Sequence, residues 1–141
     1  MKETFESERS RKGRWARTIP SSRSAGPPFE EAFDYYAPLA RVRQFVQQNL
    51  EKDLSLAATS KIAKLSPKYF SAFFKQHTGL GFRDWITTLR VQRAKVLLKE
   101  RNRPVTRVAL AVGFRDTRTF QRAFKRVTGM TPIAYKKSVA P

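Results

Sequence analysis

Residues 72–82 read AFFKQHTGLGF and residues 122–132 read RAFKRVTGMTP, so an aromatic-Lys-x-x-Thr-Gly phrase recurs at an offset of fifty. At that offset Phe70 aligns with Phe120, Phe74 with Phe124, Lys75 with Lys125, Thr78 with Thr128 and Gly79 with Gly129. A fixed period of this size implies one supersecondary unit used twice. A chain of 141 residues has room for one ordinary domain, or for two very small ones sharing a core. Its hydrophobic share of 40% is enough to pack such a core and too high for wholesale disorder.

From Ala37 onward apolar residues recur at helical spacing, with breakers at regular intervals and no convincing β-type alternation, so the expected fold is all-α. About seven helices are expected, arranged as two helix-turn-helix subdomains joined by a long linker helix. Leu39, Val42, Phe45, Val46 and Leu50 form the stripe of a first helix over about 38–50. Ser55 has the chemistry of an N-cap for a short helix ending near Ala63, and Ser66-Pro67 opens another that stops at Gly79. The first helix-turn-helix thus covers about 54–79. The stretch 81–99 is amphipathic, with Phe82, Trp85, Ile86, Leu89, Leu97 and Leu98 available to one buried side. A linker helix of about eighteen residues at 1.5 Å each would span about 27 Å. The cycle restarts at Pro104, with a helix to about Val112, a turn at Gly113, an Asp116-capped helix to about Thr128 and then Gly129, giving a second unit over about 104–129. A last short helix follows Thr131-Pro132. Residues 1–36, with the breaker cluster SSRSAGPP, are expected to form a disordered N-terminal tail whose RSRKGRWAR run is a solvated arm. Residues 37–137 are then the folded domain and 138–141 a C-terminal tail.

The net charge of +18 predicts a polyanionic partner, either nucleic acid or an anionic membrane surface. Residues 1–36 hold seven basic and six acidic groups, so 22 of the 29 basic and five of the 11 acidic residues fall in 37–141. The folded part is therefore the basic part. Cysteine is absent, which rules out disulfides and thiolate metal sites. The N-terminal MKETFESERS has no apolar stretch of signal-peptide length, and no apolar run approaches a spanning helix. A soluble, cytoplasmic protein with no membrane partner is expected, nucleoid-associated if the partner is DNA.

Two short helices joined by a tight turn make a helix-turn-helix, whose second helix can lie in the DNA major groove. On the helix after Asp116, Phe120 and Phe124 face inward and leave Thr117, Arg118, Gln121 and Arg122 outward as base-contacting candidates. Arginine can pair bidentately with guanine, glutamine with adenine, and threonine can touch a methyl or phosphate. No glutamate interrupts that face, although ordinary exposed helices mix Glu with Lys. In the first unit Phe70 and Phe74 take the inward positions, with Phe73 as an additional apolar contact; the outward residues are Lys68, Tyr69, Ser71, Ala72 and Lys75. Lys68, Ser71 and Ala72 are the base-contacting candidates there. Ala72 stands where the second unit has Arg122, and a methyl cannot make a bidentate hydrogen bond. The second unit is thus expected to discriminate, and the first to position the protein through Lys61, Lys64, Lys68 and Lys75. Thr119, Lys125 and Arg126 are further phosphate candidates. Two reading helices held about one turn of DNA apart, roughly 34 Å, would enter successive major grooves, with the long middle helix as strut.

The stretch 103–137, RPVTRVALAVGFRDTRTFQRAFKRVTGMTPIAYKK, resembles the C-terminal signature of AraC/XylS-type bacterial transcription regulators, through Ala109, Gly113, Phe114, Asp116, Phe120, Arg122, Phe124, Lys125, Gly129, Pro132 and Tyr135. Residues 54–99 resemble the family's first helix-turn-helix and linker helix, through LSPKYFSAFFKQHTG and the Leu89-Arg90 and Leu97-Leu98 pairs. The resemblance implies seven helices with two helix-turn-helix units, binding to double-stranded promoter DNA, and activation of transcription by contact with RNA polymerase. It also implies that Thr117, Arg118, Gln121 and Arg122 meet bases or nearby phosphates in the second unit, and Lys68, Ser71 and Ala72 in the first. Three positions depart from the pattern: Thr59 where an aliphatic residue is usual, Lys64 where a turn residue is often glycine, and Ala72 where arginine is common. Most members carry an effector-binding or dimerising domain upstream, which 36 residues cannot build. A stand-alone member is favoured over the detached DNA-binding half of a longer regulator, and no small-molecule effector site is evident.

An enzyme is not expected. His77 is the only histidine, read as an exposed cap or surface residue beside a helix end. Glu51, Asp53, Asp84, Glu100 and Asp116 are scattered, with Asp116 read as a cap. Neither a Gly-rich phosphate loop nor metal-ligand spacing appears, so no cofactor is expected. A non-specific basic binder of nucleic acid or anionic membranes would explain the charge but not the two spaced, capped units.

Overall fold

The computed structural model describes residues 29–140, and the RSRKGRWAR run lies outside them. Among the described residues the chain forms eight α-helices and no β-strand: α1 Phe29–Tyr35, α2 Ala37–Gln48, α3 Leu56–Ala63, α4 Pro67–Thr78, α5 Phe82–Leu98, α6 Val105–Ala111, α7 Thr117–Thr128 and α8 Pro132–Val139. They fall into two compact units. One comprises the described residues up to Asn49 together with Leu54–Trp85; the other comprises Leu50–Asp53 and the described residues from Ile86 onward. Helix α5 starts in the first unit and continues into the second.

The first unit is built on aromatic rings. Phe33, Phe70 and Phe74 are fully buried, with Phe82 and Trp85 nearly so. Helix α1 corrects the expectation of a structureless tail through residue 36. In FEEAFDY the residues Phe29, Ala32 and Phe33, spaced i, i+3, i+4, are all buried. The Phe33 ring stacks on Trp85 with centroids 5.0 Å apart and meets Phe74 edge-on at 5.9 Å. A seven-residue helix directly after a proline-glycine cluster is too short to declare itself by periodicity, and tertiary burial makes it. Glu30 and Glu31 in its first turn suit the helix dipole.

Helix α3 has the predicted cap: the Ser55 hydroxyl accepts from the Ala58 amide at 3.0 Å. Thr59 is buried without cost because its hydroxyl donates to the Ser55 carbonyl at 2.8 Å. The three-residue turn that follows holds Lys64 at φ 65°, the one non-glycine residue with positive φ among those described. Lys64 N–H donates to Lys61 O and Leu65 N–H to Ser60 O, both at 3.0 Å. The second unit repeats this closure: Gly113 N–H donates to Leu110 O at 3.1 Å and Phe114 N–H to Ala109 O at 3.0 Å. The first turn therefore places a lysine in a backbone region that costs an L-residue roughly 1 to 2 kcal/mol.

The core of the second unit gathers Val91, Ala94 and Leu98 of α5, Val108, Ala109 and Val112 around α6, and Phe114, Phe120, Ala123 and Phe124. Phe120 and Phe124 are fully buried, as their spacing predicts, and Tyr135 of α8 meets Phe124 edge-on at 5.6 Å. Several boundaries move. Leu50 lies beyond α2, α6 starts at Val105 with Pro104 as its N-cap, and α8 runs through Ser138 to Val139, leaving little of the expected C-terminal tail. Along α5, Leu89 and Leu97 are only half-buried, whereas Val91 and Ala94 are completely buried.

The repeated Thr-Gly phrase is a helix stop. Thr78 Oγ1 donates to Phe74 O at 2.8 Å and accepts from Leu80 N at 3.1 Å; Thr128 Oγ1 does the same with Phe124 O and Met130 N at the same distances. Gly79 and Gly129 follow at φ 81° and 86°, and their amides donate to Lys75 O and Lys125 O at 2.8 Å.

Because α1 belongs to the first core, Phe33→Ala should destabilise the protein by about 3 to 5 kcal/mol. Urea denaturation checks this, and an unchanged midpoint would return residues 29–36 to a tail.

Candidate nucleic-acid interface

Each unit presents its second helix, α4 or α7, with phenylalanines inward and one polar, basic face in solvent. On α7, capped by Asp116, Phe120, Ala123 and Phe124 are buried, while Arg118, Gln121, Arg122, Lys125 and Arg126 are exposed and Thr117 is half-buried. Spacings of three and four bring Arg118, Gln121, Arg122 and Lys125 to one side. On α4, Phe70, Phe74 and Thr78 are buried, while Lys68, Tyr69, Ser71, Ala72 and Lys75 are exposed. Lys61 and Lys64, at the end of α3 and in its turn, are exposed as well. Neither α4 nor α7 carries an acidic residue.

Asp116 fixes the start of α7. Its carboxylate accepts from the Thr119 amide at 2.8 Å and from the Thr119 hydroxyl at 3.1 Å. The backbone bond, then the hydroxyl bond, holds the carboxyl below the ordinary carboxylate range, with Arg118 and Arg122 adding to the effect. The amide and the hydroxyl of Thr119 both take part in this cap. Ser66 caps α4 more weakly, accepting from Tyr69 N at 3.2 Å.

Several cations are held within the fold by backbone carbonyls or by carboxylates. Arg41 donates to Ile62 O and Ala63 O, both at 3.2 Å, closing the end of α3. Lys136 donates to Leu98 O at 3.3 Å and Glu100 O at 2.9 Å, closing the end of α5. Arg90 donates to Leu50 O and Lys52 O. Burial draws its guanidinium below the usual arginine range, and Asp53 and Glu51 oppose the shift. Arg43 pairs with Asp34, and Arg103 with Glu100 at 2.8 Å. Helix ends attract cations through the dipole and the unpaired carbonyls, which a count of basic residues does not reveal.

Sequence reasoning left Tyr69 out of the site, yet its side chain is 57% exposed in the first turn of α4 beside Lys68. Its ring leans on Phe73 at 6.1 Å. The signal was an aromatic residue outside the inward stripe.

His77 is not the exposed residue expected. It is half-buried, with its ring 4.2 Å from that of Tyr36 and 4.3 Å from that of Phe73. Burial lowers the imidazole from 6.5 to about 4.

A family model described as a helix-turn-helix domain matches residues 59–138. The probable transcriptional regulator LumQ of Photobacterium leiognathi is 34% identical over 95 residues, which are 67% of this chain and 38% of LumQ. The chain thus spans about two fifths of that relative's length. An AraC-type DNA-binding domain-containing regulator from Chromobacterium violaceum superposes with a TM-score of 0.70 over 76% of this chain and 96% of that one; at 22% identity the likeness is one of fold. The DNA-binding domain of AdpA, solved in complex with a target DNA, superposes with a TM-score of 0.68 at 30% identity, over 72% of this chain and 91% of that one.

The lowered imidazole of His77 gives a direction for acid sensitivity. The unfolded chain takes up a proton at about 6.5 that the folded chain refuses until about 4, so stability is full above the first value and falls as pH drops toward the second. Urea midpoints for the wild type should fall between pH 6.5 and 5, and His77→Phe should flatten that slope; equal slopes would contradict the burial of a neutral ring.

Proposed function

This chain belongs to the AraC-type helix-turn-helix family, and from that premise we propose that it is a transcription regulator that binds double-stranded promoter DNA sequence-specifically. The observation that carries this is the pair of capped helices, α4 and α7, each with an acid-free outward face above a buried phenylalanine stripe. Each helix enters a major groove. Helix α7 supplies most base discrimination through Arg118, Gln121 and Arg122, with Thr117 at its start, while Lys125 and Arg126 meet phosphates. Helix α4 offers Lys68, Ser71 and Ala72 to bases, fewer groups able to make paired hydrogen bonds, and Lys61 and Lys75 to the backbone. The AdpA domain, similar in fold and bound to its target DNA, supports the choice of duplex DNA as partner. Activation by contact with RNA polymerase, in the bacterial cytoplasm at the nucleoid, follows the AraC/XylS resemblance.

Competition tests the proposal. A duplex selected for binding should displace the protein from itself far better than unrelated duplex or anionic liposomes do; equal displacement by any of these would leave only a non-specific polycation. Arg118→Ala or Arg122→Ala should cost about 1 to 3 kcal/mol on the selected duplex and relax base preference at one position; unchanged preference removes that residue from the readout. Lys75→Ala should weaken all duplexes alike and reduce the salt slope by about one unit. A loss confined to some sequences would contradict a phosphate contact there.

A further inference from the structure

We propose that Arg90 is a positioning residue for DNA reading: by clamping the 50–53 segment against the turn of the second helix-turn-helix, it sets the register of α7. This rests on the assignment of α7 as a reading helix. The segment Leu50–Asp53 belongs to the second unit although it precedes the whole first helix-turn-helix in the chain. What ties it there is Arg90 on α5. Its Nε donates to Leu50 O at 3.0 Å and its Nη2 to Lys52 O at 2.7 Å. Leu50 is 3% exposed.

The same guanidinium lies against Gly113. A Cβ added at Gly113 would stand 2.7 Å from Arg90 Nε, 2.9 Å from its Cζ and 2.7 Å from Leu50 O. Gly113 also has φ +106°, so both the backbone angle and the absence of a side chain are needed for this approach. Three residues later Asp116 caps α7, and between them Phe114 is anchored by its buried ring and by its bond to Ala109 O. The start of α7 is thus tied to the Arg90 contact through a short turn held at Gly113 and Phe114. Bidentate base pairing tolerates displacements of only about 0.5 Å, so a shift at Gly113 reaches Arg118 and Arg122 directly. Arginine donates here from two separate nitrogens, Nε and Nη2, of one rigid plane whose Nε and Cζ lie beside Gly113; a lysine would bring a single ammonium on a flexible stem, without that fixed geometry.

The test uses the full chain with Arg90→Met and Arg90→Lys, at a temperature where circular dichroism shows the variant folded. Binding to the selected duplex should weaken roughly tenfold, and to unrelated duplex by no more than about twofold, so that base preference falls. Amide resonances of Gly113 and of the first turn of α7 should shift, while those of α4 stay in place. Should Arg90→Met fail to fold, Arg90→Lys, which keeps the charge but replaces the rigid two-nitrogen fork by a single ammonium, carries the same comparison. A folded variant with wild-type preference and an unmoved Gly113 overturns the proposal, as does an equal loss on every duplex. A wild-type protein that prefers no sequence would instead refute the reading function of α7; the Gly113 and α7 resonances would still decide whether Arg90 sets the turn.

Discussion

A twelve-residue helix can bury one stripe, and in both α4 and α7 phenylalanines four residues apart take it. Everything functional in the chain depends on that burial. With Phe70 and Phe74, or Phe120 and Phe124, fixed in a core, Ser71, Ala72, Gln121 and Arg122 on the outward side have nowhere to go but water. A side-chain cap then sets where each helix starts, and a Thr-Gly stop sets where it ends. The repeated phrase at residues 72–82 and 122–132 is thus a device for holding helices of fixed length on a core. The outward positions inherit a defined place without being part of that device, and they are where the two units differ: Ser71 and Ala72 against Gln121 and Arg122.

The high positive charge divides into two populations. Arg41, Arg90 and Lys136 each bridge two carbonyl oxygens, while Arg118, Arg122, Lys68 and Lys75 stand in solvent. The first group is held by the fold, and its removal would expose unpaired carbonyls. The second is free to meet an anionic partner and to release counterions from it. Net charge alone predicts the partner's sign but cannot say which cations meet it, because that depends on where helix ends fall in three dimensions.

The regular elements were legible in the residues because they carry local signals. Ser55, Ser66, Asp116 and Thr131 all act as N-caps, and each accepts the amide three residues on. The fully buried Phe70, Phe74, Phe120 and Phe124 follow from helical spacing. What escaped depends on partners distant in sequence. Helix α1 exists because Trp85 and Phe74 receive Phe33. His77 is half-buried because the ring of Tyr36, from the junction of α1 and α2, lies against it together with that of Phe73. Lys64 is a local case: it stands where the family resemblance expects a turn residue that is often glycine, and the hydrogen bonds of Lys64 and Leu65 back onto α3 close that turn at φ 65°.

The central claim is that the outward face of α7 recognises a particular sequence while α4 contributes more affinity than choice. Selecting bound duplexes from a random pool with the full chain addresses it most directly. The expected outcome is two enriched blocks of base pairs, one sharply defined and one weakly. A pool that stays random through successive rounds, or one with two equally sharp blocks, would contradict the division of labour between the two helices.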